Sequence, residues 1–239
     1  MGGEVPRVEA RLKISIIVPA LNEADGITAV LVALAPLRAR GHEVIVVDGG
    51  SSDGTAALAR AVADRVVPAP RGRASQMNAG AALVHGEVLL FLHADTRLPE
   101  NADASVLEGL AASGKAWGRF DVRIEGASLC LPVIAFFMNL RSRATGIATG
   151  DQAIFVRREA FEGAGRFPPL ELMEDIALSR SLRRLSRPLC LADKAVTSGR
   201  RWERRGVLRT VFLMWWLRLA FFFGAAPASL SRFYDGERN

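Results

Sequence analysis

The chain of 239 residues is poor in cysteine, with only Cys130 and Cys190, which lie far apart and lack the spacing of metal ligands. A disulfide framework is therefore not expected, and a reducing compartment is the default. Residues 1–13 also lack the continuous apolar core of a signal peptide, so we expect an irregular lead-in. Together these absences predict a cytoplasmic protein.

Two glycine-rich phosphate-binding motifs are missing as well. No GxGxxG follows the first apolar run, and no GxxxxGK[ST] occurs in the chain. The sequence therefore argues against a dinucleotide-dependent oxidoreductase and against a P-loop NTPase. The sequence has no internal repeat, low-complexity tract or convincing linker, which favours one continuous domain.

The composition indicates a globular protein, and its positive charge favours an anionic partner. Half of the residues are apolar and 23% are charged, which is ordinary for a chain with a sizeable core. The net charge is +6 and the sequence pI is about 10.3. Nucleic acid, an anionic membrane surface and a phosphorylated substrate are all compatible with this balance.

The rest of the chain is organised around residues 43–55, EVIVVDGGSSDGT. A β-branched run, residues 44–47, ends abruptly in Asp48, and glycines and serines follow before a helix-like stretch. An acid at the carboxyl end of a parallel strand points into the crevice where open α/β sheets bind ligands. This stretch therefore predicts a ligand-binding edge.

Apolar strands alternate with helical stretches of about 10–15 residues up to residue 98, which predicts βαβ units. Strands are predicted at 14–18 (stopped by Pro19), 44–47, 66–67, 87–92, 116–124, 152–156 and 195–198. Helices are predicted from Asn22 or Asp25 to Leu37 and at 56–63, 99–113, 128–139 and 175–185. The predicted fold class is α/β, with a mostly parallel central sheet flanked by helices. Residues 13–98 form a Rossmann-like nucleotide-binding half and 99–205 an acceptor half of one domain.

Four acids lie where loops should leave the sheet: Asp48, Asp53, Asp95 and Asp175. Asp48 and Asp95 each follow an apolar strand, so both should face the same rim. A hard divalent cation needs one or two such carboxylates and takes phosphates as well. His93 lies two residues before Asp95, on the same side of an extended chain. The alternatives are a strand-end Asp that caps a turn and a neutral His at a strand end.

The basic segment Arg71-Gly72-Arg73, followed by Gln76 and Asn78, lies at the predicted start of a helix. Its donors suit an anion. The alternative is a solvated surface loop.

Five segments together resemble the family-2 glycosyltransferases with the GT-A fold, and they occur in that family's order. They are PALNEA, VVDGGSSDGT, FLHAD, MEDIALSRSL and SGRRWE, between residues 14 and 202. The segments are also similar to a bacterial subgroup named for its association with radical-SAM and selenium-related domains. The resemblance implies a nucleotide-diphospho-sugar donor rather than nucleic acid as the anionic partner, and an acceptor that the sequence does not identify.

The resemblance implies a donor site along the first half of the chain. Asp48 would accept a hydrogen bond from the base, with Asp53 nearby. The other residues implied in nucleotide binding are Pro19, Ala20, Asn22, Glu23, Arg73, Asn78 and Ala94.

The resemblance also implies the chemistry. Asp95 matches the last acid of the DxD motif and would hold Mg²⁺ or Mn²⁺, while His93 stands where the family has its first acid. Asp175, preceded by Glu174, matches the catalytic base for in-line attack at the anomeric carbon with inversion. The alternative is a non-catalytic anion- or nucleotide-binding protein on the same fold, which has no need of an acid at position 175.

Arg200-Arg201-Trp202 resembles the [QR]xxRW signature of processive members, with Ser198 at its first position. Arg201 would neutralise the departing diphosphate, and Trp202 would stack on the acceptor. The changed first position weakens the case for polymerising activity.

The most apolar stretch is residues 206–226, at the start of a predicted helical tail, 206–239. Arg209 and Arg218 interrupt it, and its charge-free parts fall below the ~18 residues of a spanning helix. Its tryptophans and phenylalanines, with arginines upstream, favour a peripheral anchor on the inner face of the cell membrane and hint at a lipid-linked acceptor. A helix packed on the core or on a dimer partner is the alternative.

Overall fold

The computed structural model describes residues 12–225 and Leu230, without the side chains of Arg201, Arg204, Arg205 and Leu208. The strands are β1 (Ile14–Ala20), β2 (Glu43–Asp48), β3 (Arg65–Pro68), β4 (Val88–Phe91), β5 (Thr96–Arg97), β6 (Trp117–Glu125), β7 (Phe155–Arg157) and β8 (Leu189–Ser198). The helices are α1 (Ala24–Ala33), α2 (Ala35–Ala39), α3 (Thr55–Arg60), α4 (Arg73–Leu83), α5 (Ala102–Ser113), α6 (Leu131–Thr145), α7 (Arg158–Gly163), α8 (Glu174–Leu182), α9 (Arg200–Arg205) and α10 (Val207–Phe222).

The eight strands form one mixed sheet in the order β3-β2-β1-β4-β7-β6-β8-β5. The α/β class is confirmed, but the prediction of a mostly parallel sheet is wrong. Strands β1 to β4 are parallel, whereas β7 runs antiparallel to both of its neighbours, and β5 antiparallel to β8. The first half is built from βαβ crossovers, which keep strands parallel, while β7 enters the sheet from the opposite end.

Two apolar cores lie on the two faces of the sheet, which explains the continuous Ile/Val runs. Every residue of β1 is buried. Ile16 packs into the core beneath α1, α2 and α5, and Ile17, on the other face, packs into the core beneath α4, α7 and α8. A strand covered on both sides needs apolar residues at every position.

Proline at position 19 does not stop β1, contrary to the prediction. Pro19 lies in register with Val47 of β2, and the strand continues to Ala20. On its other side, β1 pairs with β4 only up to Ile17. The missing N–H of Pro19 therefore falls where that edge of the strand has no partner strand, which makes the proline inexpensive.

The helix predicted to reach Leu37 is instead split into α1 and α2. Glu23 is the N-cap of α1 and makes no side-chain capping bond, so neither Asn22 nor Asp25 caps it. Pro36 lies in the first turn of α2, where proline is well tolerated, and it interrupts the preceding helix. Gly54, with φ of 88°, is the N-cap of α3.

A buried charged cluster joins α5 to β1 and to the turn after α2. The Ile14 N–H donates to His42 Nδ1 (3.1 Å), so His42 Nε2 carries the proton that faces Asp103 Oδ2 (3.0 Å). Arg40 donates to both carboxylate oxygens of Asp103, at 2.6 and 2.9 Å. Burial raises the pKa of Asp103, but the hydrogen bonds from Arg40 and His42 outweigh burial and lower that pKa to about 2.

We expect Asp103→Ala to lower the free energy of unfolding by about 3 kcal/mol, because it leaves the buried His42 and the partly buried Arg40 without their acceptor. Urea unfolding at neutral pH measures this loss. Because the pKa of Asp103 is lowered on folding, its contribution is complete above the unfolded-state pKa near 4 and is lost as the pH falls towards about 2. The matched control is Glu108→Ala on the exposed side of α5. A difference between Asp103→Ala and wild type that stays constant from pH 5 to about pH 2.5 would contradict the assignment.

Candidate active site

A cleft of about 390 Å³ opens over the carboxyl ends of β1 and β4 and the start of α4. Ligands of open α/β sheets bind at this edge. Its lining includes Pro19, Ala20, Glu23, Arg71, Arg73, Gln76, His93, Ala94, Asp95, Asp151, Thr197, Ser198, Trp202, Thr210 and Met214. The structure thus brings together eight of the residues to which the family resemblance assigns a role, from both halves of the chain, and also Arg71 and Gln76 of the predicted anion site.

Asp48 ends β2, beside Ala20 in the register of the sheet. Its Oδ2 accepts the N–H groups of Gly50 (3.2 Å) and Ser51 (3.1 Å). Its Oδ1 is buried and has no hydrogen-bond partner within the described part of the chain. A buried acceptor without a partner is costly, so this oxygen is suited to a donor that a ligand would bring.

Gln76 supports this edge from below. Its Nε2 donates to the carbonyl groups of Ala20 (2.9 Å) and Val47 (2.8 Å) and therefore clamps the ends of β1 and β2 together. A Cβ at Gly49 would lie 3.1 Å from the Gln76 amide, which explains the glycine after Asp48. Gln76 thus donates its hydrogen bonds to the main chain, whereas the sequence predicted that it would donate to an anion.

Asn22 and Asp53 hold the two loops above the cleft and do not line it. Asn22, with φ of 53°, accepts from the Ser52 N–H through Oδ1 (3.0 Å). Asp53 accepts from the Ala24 N–H (3.0 Å) and from the Thr55 hydroxyl (2.5 Å). Both residues therefore shape the donor-side loops through main-chain contacts.

Asn78 lies on α4 outside the cleft lining. Its Nδ2 donates to the Phe167 carbonyl (2.8 Å), and its Oδ1 accepts from the Phe167 N–H (3.1 Å). Both polar groups of the amide are therefore engaged with the segment that precedes α8.

Asp95 is held where β4, β5 and β8 meet. Its carbonyl accepts from the Ser198 N–H (3.2 Å), and Thr96 Oγ1 lies 3.3 Å from its Oδ1. Glu23 faces it across the cleft: burial raises the pKa of Glu23, and the negative charge of Asp95 raises it further. Arg200, 3.5 Å from Glu23, acts in the opposite direction. Two carboxylates that repel each other in this way would be stabilised by a cation.

The donor set fits a hard divalent cation only in part. Within the described residues, no group of three or more His, Cys, Asp or Glu side chains could hold a metal ion on its own. Asp95 and Glu23 provide carboxylate oxygens, which Mg²⁺ and Mn²⁺ prefer. The remaining positions would have to be filled by water and by the phosphates of a bound nucleotide.

His93 lies between Asp95 and the turn at residues 150–152. Its Nδ1 is 3.3 Å from Asp151 Oδ1, and its side chain is 15% exposed. A Cβ on Gly150 would overlap Nε2 of the ring. Glycine at position 150 therefore allows the close approach of this turn to the imidazole.

Glu174 and Asp175 open α8 after Met173, whose φ of 67° is unusual for a residue with a side chain. Burial raises the pKa of Glu174, and the neighbouring Asp175 raises it further, while Arg73 lowers it from 3.7 Å. Asp175 accepts from the Gly150 N–H through Oδ2 (2.9 Å) and from the Ile176 N–H through Oδ1 (2.7 Å). Asp175 thus lies behind Gly150 and is not itself part of the lining, although Asp151, the residue after Gly150, is.

The segment after β8 closes the cleft on its far side. Trp202 lines the cleft and also packs on the apolar cluster of Val122 and Ile124. The side chain of Arg201 lies outside the described residues. Arg200, which lies within the SGRRWE segment, pairs with Glu23, a contact that was not predicted.

Helix α10 supplies the last wall, through Thr210 and Met214. Leu217 packs on Leu172 and Met173, next to the start of α8. Sequence reasoning assigned this helix to a tail and missed its contribution to the cleft. Across the ranges that the structure describes, no helix is both long and apolar enough to cross a membrane.

The fold is an α/β fold with a mixed sheet, and a cleft lined by acids and arginines opens at the ends of its parallel strands. The family model of glycosyl transferase family 2 matches residues 15–164. The chain belongs to this family.

Two curated relatives match part of the chain. Glucosyl-3-phosphoglycerate synthase of Mycobacterium tuberculosis (strain ATCC 25618 / H37Rv) is 30% identical over 123 residues, which are 47% of this chain and 38% of that protein. Undecaprenyl-phosphate 4-deoxy-4-formamido-L-arabinose transferase of Serratia proteamaculans (strain 568) is 31% identical over 104 residues, 39% of this chain and 32% of that protein. The matches thus span well under half of each relative.

Solved structures agree on the fold. The mannosyltransferase PcManGT from Pyrobaculum calidifontis, in complex with GDP-Man and Mn²⁺, has a TM-score of 0.67 at 22% identity and covers 89% of this chain and 62% of its own. S. aureus TarS 1–349, in complex with UDP-GlcNAc, has a TM-score of 0.63 at 21% identity over 78% of this chain and 58% of its own. At these identities the likeness establishes a GT-A-like fold with a mixed sheet.

Proposed function

We propose that the protein is an inverting, metal-dependent glycosyltransferase that moves a sugar from a nucleotide-diphospho-sugar to an acceptor hydroxyl. One observation carries the proposal: a single cleft at the strand ends is lined by the carboxylates of Glu23 and Asp95 and by two arginines at the start of α4, Arg71 and Arg73. The complexes of PcManGT with GDP-Man and of TarS with UDP-GlcNAc support a donor of this class.

The donor nucleoside would occupy the edge formed by Pro19, Ala20 and Asp48. The buried Oδ1 of Asp48 would accept an N–H of the base, which removes the cost of leaving it without a partner. Arg71 and Arg73, at the start of α4, would attract the phosphates. In this proposal Asn22, Asp53 and Asn78 act on the loops and not on the nucleotide directly.

Asp95 and Glu23 would hold Mg²⁺ or Mn²⁺ together with the donor diphosphate. When bound, the ion would neutralise charge on the diphosphate leaving group. His93 has Nδ1 directed at Asp151, so only Nε2 could serve a metal, and ligation by His93 stays a prediction.

Asp175 would act as the general base. It would take the proton of the acceptor hydroxyl as that oxygen forms the bond to the anomeric carbon, while the bond to the nucleotide diphosphate breaks with inversion. Two backbone N–H groups orient its carboxylate. Trp202, in the cleft lining, would stack on the acceptor, and Arg201 would meet the departing diphosphate.

A lipid-linked acceptor and a peripheral contact of α10 with a membrane belong to the same proposal. They rest on the exposed Trp215 and Trp216 of α10, on the opposite side from Met214 in the cleft. Membership of the radical-SAM-associated subgroup rests on the sequence segments alone.

Binding of nucleotide diphosphates tests the proposal directly. We expect UDP, GDP or the corresponding nucleotide-sugars to raise the melting temperature in the presence of MnCl₂ and much less in EDTA, because the ion and the phosphates complete each other's ligands. Inorganic pyrophosphate with MnCl₂ is the control for simple anion binding. Equal stabilisation by pyrophosphate and by every nucleotide would favour the non-catalytic anion-binding alternative.

A further inference from the structure

Two helices of the acceptor half expose apolar stripes at helical spacing. On α6 the stripe is Val133, Phe136, Phe137 and Leu140, and on α10 it is Phe212, Trp215, Trp216, Leu219, Phe222 and Phe223. The positions recur at i, i+3, i+4 and i+7, which places each set on one face of its helix. Phe136 is 61% exposed, Phe137 60% and Trp215 72%.

The opposite faces of both helices already have partners, so the exposed stripes are not misplaced core. Leu131 and Ala135 of α6 pack on Val122 and Ile124 of β6. Leu217 of α10 is fully buried against the segment that precedes α8. Each helix is therefore seated on the domain with a second apolar face turned outward.

Helix α9 connects the two helices in space. Trp202 of α9 packs against the cluster that the inner face of α6 joins. Glu203 accepts from the Ala127 N–H (2.5 Å) just before α6. Only Gly206 separates α9 from α10. The two helices that carry the stripes are therefore linked through α9.

The charges around the stripes indicate what kind of surface they would bind. Residues 127–149 and 204–234 contain no Asp or Glu, although the chain holds 25 of them, and both segments contain arginines. Arg180 of α8 lies over the rings of Phe221 and Phe222, at 5.3 and 5.9 Å, and Arg209 is exposed at the start of α10. The arginines of α6 are engaged within the domain, since Arg143 pairs with Asp121 (2.7 Å) and two guanidinium nitrogens of Arg141 are buried. The cations beside the exposed rings therefore belong to α8 and α10, and aromatic rings beside such cations match an anionic bilayer surface.

We propose that α6 and α10 form one docking surface for an anionic lipid bilayer, with α6 as a second contact besides α10. This extends the membrane contact already proposed for α10. Because Thr210 and Met214 of α10 also line the cleft, docking would bring the acceptor end of the cleft to the membrane surface. An acceptor hydroxyl on a lipid headgroup would then reach the site without leaving the bilayer.

Vesicle flotation of the full chain tests the surface. The vesicles are phosphatidylcholine alone and phosphatidylcholine with about 30% phosphatidylglycerol. We expect wild type to bind the anionic vesicles at least about tenfold more strongly, and each of two double variants, Phe136→Ser/Phe137→Ser and Trp215→Ser/Trp216→Ser, to lose about tenfold. Val32→Ser/Leu58→Ser, at exposed apolar positions of α1 and α3, is the control and should bind as wild type does.

The variants distinguish the ways in which the proposal could be wrong. If the α10 variant loses binding and the α6 variant does not, the shared surface is wrong and the contact of α10 stands. If wild type floats with neither vesicle, both are wrong. A dimer in light scattering that the α6 variant dissociates would assign the face to a second copy of the chain and overturn the proposal. Thermal melting confirms that the variants are folded, and none of these readouts requires sugar transfer.

Discussion

Asp175→Asn is expected to lower the rate of sugar transfer by roughly 10²–10⁴-fold, the contribution of a positioned general base. The asparagine side chain has nearly the same shape and keeps an oxygen that can accept one of the N–H groups of Gly150 and Ile176. It cannot take a proton from the acceptor hydroxyl. Since Asp175 lies behind Gly150 and outside the lining of the cleft, donor affinity should stay within about twofold of wild type.

The rate is measured as nucleotide diphosphate released from the donor found in the binding screen, with a membrane lipid extract as the source of acceptor. Glu174→Gln is the matched control, because it alters the neighbouring acid on the same turn of α8. Burial raises the pKa of Glu174, and Arg73 lies 3.7 Å away, so this change should act through the position of Arg73 and weaken donor binding. Full activity of Asp175→Asn together with an inactive Glu174→Gln would transfer the role of base to Glu174.

The parallel part of the sheet, β1 to β4, could be predicted because its longest strands have a distinctive composition. Uninterrupted β-branched runs at 14–18 and 44–47 have no other stable place than a sheet covered on both faces. The direction of β7 could not be predicted. The sequence of a three-residue strand does not indicate whether the strand runs parallel or antiparallel to its neighbours. Helices α7 and α9 have six residues each, too few for a period of 3.6 to show.

In the candidate site, the sequence predicted which residues lie near the cleft but not how their side chains are oriented. The family resemblance assigned Glu23, Arg73 and Asp95 to one donor site, and all three line the cleft. It could not show that Asn78 and Asp53 turn their polar atoms to the main chain of other loops. Such contacts depend on packing between segments distant in sequence, and no local pattern records them. The ion pair of Arg200 with Glu23 was missed for the same reason, because the two residues are remote in the chain.

Asp95→Asn should abolish the dependence of nucleotide binding on Mn²⁺. Loss of a residue that only orients a metal ligand typically costs 10–100-fold in metal affinity, so loss of the ligand itself should cost roughly 10²-fold or more. Asparagine can keep the contact with Thr96 Oγ1 (3.3 Å), and the carbonyl contact to Ser198 is main chain, so the fold around β4 should persist. Titration calorimetry of the nucleoside diphosphate with and without MnCl₂ measures both affinities.

The large effect expected of Asp95→Asn on Mn²⁺ dependence follows from the presence of His93, rather than an acid, two residues earlier. With histidine in place of the family's first acid, the segment His93-Ala94-Asp95 contains one carboxylate, and Asp95→Asn removes it. If Asp95 holds the metal, the variant with MnCl₂ should bind the nucleotide as wild type does in EDTA, and His93→Ala should lose far less because its Nδ1 already faces Asp151. The reverse order, with Mn²⁺ dependence kept in Asp95→Asn and lost in His93→Ala, would make the imidazole Nε2 the ligand. The turn at Gly150, now packed against that nitrogen, would then have to move when the metal binds.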